Sequence, residues 1–296
     1  MSVLNILFVG SDEVARSIAK KSDSRDVDNY IYKDLKEGGL FSTISILRPN
    51  NYPDKPKPFF TSLTVSDFGI IEINKVDGVF GEVIVSMASA GIKEGLVILN
   101  ASEGEWVDDS QVKALLQQAG LSNWEFIEND GILIREKLIE VLNQIKPNED
   151  EGFVVAVDQA FTVKGVGLVA IGHVQSGKVN KHDELILAGS EGNAIARSLQ
   201  VMDLDVDVAN VGDRVGLAMR TAGPFREDLL GKGSILADSN ERFTVESKSK
   251  FKLDKAAFQK NDLAKGDVVH LCCDLQFVVG RISEVSDFIH IDWDFP

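Results

Sequence analysis

Between Phe153 and Arg220 no helical period survives. Short apolar-alternating runs at Phe153–Val157, Gly167–Val174, Glu184–Ala188, Ala194–Val201 and Arg214–Met219 are separated by Lys-Gly-Val-Gly, Gln-Ser-Gly-Lys, Gly-Ser-Glu-Gly-Asn and Val-Gly-Asp. Strands this short, spaced this evenly and joined by glycine turns, predict a small closed antiparallel barrel. A barrel of this length occupies only the middle of a 296-residue chain, so further domains are expected on both sides.

The barrel segment also carries a resemblance. Phe161-Thr-Val-Lys-Gly-Val-Gly-Leu-Val-Ala-Ile-Gly-His-Val174, then Ala196-Arg-Ser-Leu-Gln200, then Val211-Gly-Asp-Arg-Val-Gly-Leu-Ala-Met-Arg220 resemble the second domain of the elongation factor Tu superfamily. Within it they are most similar to the selenocysteine-specific elongation factors of archaeal type. The resemblance implies an α/β, P-loop GTPase-like domain over 1–147, a second-domain-like β-barrel over 148–223 and a third-domain-like β-barrel over 224–296. It implies translation as the field of action, with tRNA, the ribosome or a protein translation partner as ligand.

The start of the chain tests whether the implied GTPase works. Leu4–Val9 reads as a buried strand, followed by Gly10-Ser-Asp-Glu-Val-Ala-Arg-Ser17 and a helix to about Lys21. A phosphate-binding loop has the form G-x-x-x-x-G-K-[ST]. Gly10 and Ser17 keep its ends, but Ala15 replaces the second glycine, and its Cβ fills space that phosphate needs. Arg16 replaces the lysine, with a different shape and reach. Asp12 and Glu13 add carboxylates at an anion-seeking helix start. The bland alternative is a strand–turn–helix with Ser11 or Asp12 as its cap.

Farther on, Asn74-Lys-Val-Asp77 spells the guanine signature, but that signature belongs after the next helix and strand. The resemblance instead makes Asp77 the remnant of the magnesium-side aspartate and Gly81 of the switch glycine. No histidine follows to orient a water. Glu128-Asn-Asp130 lacks the lysine and spacing of a guanine site, and the domain reads as one strand–helix unit short. Hydrolysis needs a positioned water and a stabilised leaving phosphate, so no catalytic residue is assigned. No cofactor is expected. GTP and magnesium enter only under the alternative of a divergent, active translational GTPase using Arg16, Ser17 and Asp77; a scaffold without RNA is a second alternative.

The rest of this domain is read as a polar connection at Lys20–Asp28, an extended proline-rich loop from Arg48 to Phe60, and helices over Asp108–Gly120 and Ile132–Ile145. The second helix is given a core face of Ile132, Leu138, Leu142 and Ile145. Thr61 and Thr64 are candidates for phosphate sensing by position alone, with a solvated loop as their bland reading.

In the barrel, the resemblance carries the family's aminoacyl pocket onto Asp158, Phe161, Met202 and Asp203. Asp203 stands where the relatives are basic, which argues against an ordinary aminoacyl ester. Asp203-Leu-Asp-Val-Asp207 would share one face if extended, a solvated acidic face rather than a cation site. His173 and His182 are read as neutral, hydrogen-bonded barrel residues. Near the end, Lys248, Lys250 and Lys252 alternate along a strand. They are candidates for RNA phosphate contact, against an aggregation-blocking edge as the plainer reading.

Formal charge is −15, so bulk charge will not bind nucleic acid, and any RNA contact must be local. No DNA or membrane partner is expected. No apolar run is long enough to span a bilayer, and the adjacent Cys272 and Cys273 form neither a disulfide nor a zinc motif. The expected location is the cytoplasm.

Overall fold

The computed structural model describes residues 2–35, 41–101, 106–145, 152–255, 259 and 261–295. Two compact units divide the chain, one drawn from residues 1–146 and the other from residues 147–254 and 261–296. Residues 146–151, at the expected boundary after 147, lie outside the described residues.

The first unit begins with Val3–Val9 (β1), apolar on both faces as a strand covered by helices on each side must be. Asp12–Ile18 (α1) follows after only two residues. Lys20–Ser24 (β2) then pairs antiparallel with Val27–Leu35 (β3), so a strand and a tight turn stand where a polar connection was expected at Lys20–Asp28. The segment hid because it is polar on both faces, which removes the alternation that marks a half-buried strand. It is an edge strand, where lysine is favoured.

Phe41–Pro49 (β4) is followed by a second surprise, the helix Pro56–Leu63 (α2). Pro56 and Pro58 misled the reading toward an extended loop. In a first helical turn, however, proline's missing N–H costs nothing. Thr61 is therefore buried, its hydroxyl donating to the Lys57 and Pro58 carbonyls, and Thr64 caps the helix end. Then come Phe68–Ile73 (β5), Gly78–Ser89 (α3), Gly95–Leu99 (β6), Asp109–Ala119 (α4), Glu125–Ile127 (β7) and Gly131–Gln144 (α5).

The sheet order is β2-β3-β4-β1-β5-β6-β7, with β4, β1, β5, β6 and β7 parallel. Every parallel strand is followed by a helix, so the domain is not a unit short; α2 is the unit that was missed. Leu4, Ile6 and Phe8 pack against α1 and α5 through Val14, Ile18, Ile134, Leu138 and Leu142. On the other face, Leu7, Ile71 and Val97 meet Phe59, Ile84 and Leu116 of α2, α3 and α4. The core stripe of α5 starts at Ile134, and Ile132 is exposed rather than buried. Trp124 lies over Gly69 and Gly95, where an added Cβ would come within 2.3 and 2.6 Å of its ring. Trp106 is exposed.

One long-range cap ties α1 in place. Arg135 of α5 donates from Nε to the Ile18 carbonyl at 2.8 Å and from Nη2 to Ser17 O at 2.9 Å, with its guanidinium 4.7 Å from the Tyr32 ring centroid. These are carbonyls the short helix cannot satisfy itself. Arg135→Ala is expected to destabilise the first unit by about 1–2 kcal/mol, read as a lower urea midpoint at unchanged m-value.

The second unit contains Phe153–Val163 (β8), Gly167–Asn180 (β9), Glu184–Leu187 (β10), Asn193–Val201 (β11), Leu204–Val206 (β12), Val208–Asn210 (β13), Arg214–Ala222 (β14) and Ile235–Ala237 (β15). The strand ring β10-β15-β8-β9-β14-β11 returns to β10, so the predicted closed barrel is present. Closure requires β15, which lies beyond the expected boundary at 223. A strand of three residues gives too little pattern to read, and the barrel therefore extends to Ala237. Its interior is apolar, with Val155, Val157, Leu185, Leu199, Val215, Leu217 and Leu236 all fully buried. Lys248–Phe251 (β16), Val268–Cys273 (β17), Gln276–Val285 (β18) and Ile289–Trp293 (β19) form an antiparallel sheet in the order β16-β19-β18-β17. The architecture is thus an α/β domain followed by antiparallel β-barrel domains, as expected.

Candidate functional site

In an open α/β sheet, ligands enter the crevice outside the carboxyl ends of the parallel strands. Here that crevice is bordered by Gly10 and Ser11 after β1, Arg48 to Asn50 at the end of β4, Glu72 to Asp77 at and after the end of β5, and Asn100 after β6. A shallow cleft of about 290 Å³ remains, lined by Pro53, Glu72, Asn74, Lys75, Asp77 and Phe80 among others.

The phosphate loop has no length left. Helix α1 begins at Asp12, so Asp12, Glu13, Ala15, Arg16 and Ser17 are helical and only Gly10 and Ser11 remain as connection. Ser11 is the cap, its Oγ accepting from Val14 N at 3.3 Å. The carboxylate of Glu72 fills the space beside it. Its Oε2 accepts from Ser11 N at 2.5 Å, and its Oε1 accepts from Asn100 Nδ2 at 2.6 Å. A Cβ at Gly10 would sit 2.7 Å from Glu72 Oε2 and from Phe8, so glycine is required here for packing against those two side chains.

The cations around the helix start pair with carboxylates of the first unit. Arg16 pairs with Asp12, and Lys21 bridges Asp12 at 3.2 Å and Asp28 at 2.8 Å. Arg48 donates to Asp28 at 3.3 Å and to the Gly10 carbonyl at 2.8 Å. The Tyr30 hydroxyl and then the Arg16 guanidinium hold the Asp12 carboxyl well below its usual range. Burial alone would push Asp28 up, but Lys21 and the Ser24 hydroxyl more than offset it and leave it lowered. Ala15 is fully buried, and the Ser17 hydroxyl donates back to Val14 O at 2.7 Å.

Asp77 caps α3, accepting from Val79 N and Phe80 N at 3.0 and 3.1 Å. The Phe80 N–H, then Lys75 at 3.0 Å, keep its carboxyl low. Gly81 is an interior helical residue with open space around it. Because α2 shifts the order of units by one, the place after the next helix and strand from Asn74 is Asn100-Ala101. The asparagine is there, alanine follows it where lysine was sought, and the next residues lie outside the described set. Neither Glu72 nor Asn100 was singled out from sequence. The only available signal was a charged residue within the apolar run Phe68–Ile73.

In the barrel, Asp158 sits at a bulge in β8 between Val157 and Gln159. Its carboxylate accepts from Gln159 Nε2 at 3.0 Å and from Arg214 Nη2 at 3.3 Å, with Lys232 Nζ at 3.5 Å. Burial would raise its pKa, but the Gln159 amide, Lys232 and Arg214 outweigh it. Registers Val157–Gly172–Val215–Val201 run across β8, β9, β14 and β11, so Asp158 and the Met202-Asp203 turn close one row of the barrel. Met202 packs on the barrel core, while Phe161 lies farther along β8 and is exposed. Met202 and Asp203 have φ of 53° and 63°, a tight hairpin turn, so Asp203 does not share an extended face with Asp205 and Asp207. Among the described residues no acidic, cysteine or histidine cluster could hold a metal.

His173 is 4% exposed and its Nδ1 has no hydrogen-bond partner, unlike the satisfied histidine expected. Burial, then Arg214, push it down to about 4, with Asp158 opposing. His182 is an exposed turn residue at φ 77°. On the edge strand β16, Lys248 lies 3.6 Å from Asp292 and Lys250 lies 4.0 Å from the Phe288 ring centroid; Lys252 follows the strand end.

No family model matches the chain. A protein of Methanocaldococcus jannaschii described as "Uncharacterized protein MJ0325" is 30% identical over 281 residues, 95% of this chain and 86% of that one. The chain belongs to the family of MJ0325. Its sequence also matches the selenocysteine-specific elongation factor of Escherichia coli at 32% over 137 residues, and that of M. jannaschii at 33% over 115. These matches cover 44% and 39% of this chain but only 22% and 24% of the elongation factors. Solved structures agree in fold. The apo elongation factor SelB of Methanococcus maripaludis superposes with a TM-score of 0.78 at 18% identity, covering 100% of this chain and 73% of SelB. A bacterial EF-Sec gives 0.78 at 17%, covering 99% and 54%. The fold is therefore that of the SelB-type elongation factors.

Proposed function

We propose that this member of the MJ0325 family is a translation-factor-type binding module that has lost GTP binding and hydrolysis. The observation that carries the reading is the Glu72 carboxylate on Ser11 N and Asn100, where a nucleotide's phosphates would have to enter. An anion there must displace a buried carboxylate and break the Arg16–Asp12 pair. Asn100-Ala101 also offers no lysine toward a guanine base. Partners of the translation machinery, tRNA or the ribosome among them, would be met in the cytoplasm through the β domains. Asp158, Met202 and Asp203 form the proposed partner row, with the exposed Phe161 farther along β8, and Lys248, Lys250 and Lys252 a second, phosphate-facing one.

Titration with GTP and GDP in excess magnesium is expected to give no saturable binding in the micromolar range and no phosphate release. Micromolar affinity with turnover would establish the active-GTPase alternative. Restoring the loop by Ala15→Gly with Arg16→Lys is also expected to give no hydrolysis. The glycine should cost the first unit about 1 kcal/mol in an α-helix interior. Turnover of GTP by that double variant would refute the role given to Glu72 and Asn100.

A further inference from the structure

Among the described residues, the lysine stripe of β16 is not the sole cluster of cations. An open groove of about 460 Å³ on the first unit is lined by Arg16, Lys20, Lys21, Tyr32, Lys33 and Arg135, and among the described residues no carboxylate lines it. It forms where β3 outruns β2. The pairing of Lys20 with Ile31 is the last rung of the hairpin at that end, and Tyr32 to Leu35 have β4 as their sole strand neighbour among the described residues. The exposed backbone edge, the end of α1 and the Arg135–Tyr32 stack thus surround one depression.

Asp12 and Asp28, which do not line the groove, pair with Arg16 and Lys21. Glu13 and Asp34 are nearby in sequence. Lys20 and Lys33 are exposed at the lip. A shallow, open groove with several cations suits an extended polyanion better than an enclosed small molecule. The guanidinium plane of Arg135, held edge-on by the Ser17 and Ile18 carbonyls, adds a flat surface of the kind on which bases stack.

We infer that this groove binds the phosphodiester backbone of a single-stranded nucleic acid. Lys20 and Lys33 are the phosphate contacts, and the Arg135–Tyr32 pair is the flat platform. The inference is independent of the state of the nucleotide crevice.

The test is fluorescence anisotropy of the full chain with labelled oligouridylate between roughly 50 and 200 mM salt. Lys20→Gln with Lys33→Gln is expected to weaken binding and to reduce the slope of log K on log salt by about 1.4, since each single-strand contact contributes about 0.7. The melting temperature should be unchanged. Lys93→Gln, at an exposed lysine outside the groove lining, should keep the wild-type slope. Oligothymidylate in place of oligouridylate separates the two sources of the same backbone: equal binding means backbone recognition alone, and tighter RNA binding adds a contact to the 2′-hydroxyl. Three results would overturn the inference: no binding at the lowest salt, an unchanged slope in the double variant, or displacement of the oligonucleotide by tripolyphosphate at equal total charge.

Discussion

Glu72→Ala is expected to destabilise the first unit by about 1–3 kcal/mol, because it strands two partly buried donors at once. Ser11 N loses its acceptor at 2.5 Å and the Asn100 amide loses its acceptor at 2.6 Å, with Glu72 itself only 9% exposed. Glu72→Gln keeps the volume and one acceptor oxygen, so it should cost less than half as much. Urea unfolding of the two variants measures both. Adding GTP with magnesium to the alanine variant should not raise its melting temperature. A ligand that binds the folded state alone always raises stability by mass action. A nucleotide-dependent rise would mean that Glu72 merely plugs a competent site, and the reading of a lost guanine site would then fail.

The second large effect is a pH window set by His173. Its folded pKa of about 4 lies below the ordinary value of 6.5 because burial and Arg214 oppose the imidazolium. Between those values the unfolded chain takes up a proton that the folded barrel refuses. The corresponding stability is therefore present above about pH 6.5 and is lost as pH falls toward 4, a total of about 3 kcal/mol. Asp67 and Asp213, raised by burial, act in the opposite sense, so the wild-type curve alone does not isolate the histidine. The difference between wild type and His173→Leu does. The variant is expected to lose most of the decline between pH 6.5 and 4, measured as denaturant midpoints of the second unit. Equal declines in both proteins would mean that the imidazole is protonated inside the barrel and finds a partner for its Nδ1.

Much of the fold was legible along the chain because its signals are local. The barrel strands alternate and are punctuated by glycine, and Asp108 and Gly120 bracket α4 as its caps. The departures from the phosphate-loop pattern are visible at Ala15 and Arg16. Two elements were illegible for the same physical reason, that their stability comes from neighbours. Strand β2 is polar along its length and exists by pairing with β3. Helix α2 looks like a proline loop until Phe59 and Leu63 find the sheet. Missing α2 displaced the reading by one unit and made Asp77 a switch residue rather than a helix cap.

The amino-acid sequence by itself determined the barrel, its kinship, an arginine where a phosphate loop carries its lysine, and the acidic balance of the chain. Only the tertiary structure decided which residues close the crevice and where the cations gather. Glu72 is 61 positions from Ser11, and Arg135 is 117 positions from Ile18. No local pattern encodes such pairings. They arise when parallel strands bring their carboxyl ends to one edge and helices pack back over them, a geometry set by hydrophobic burial on both faces of the sheet.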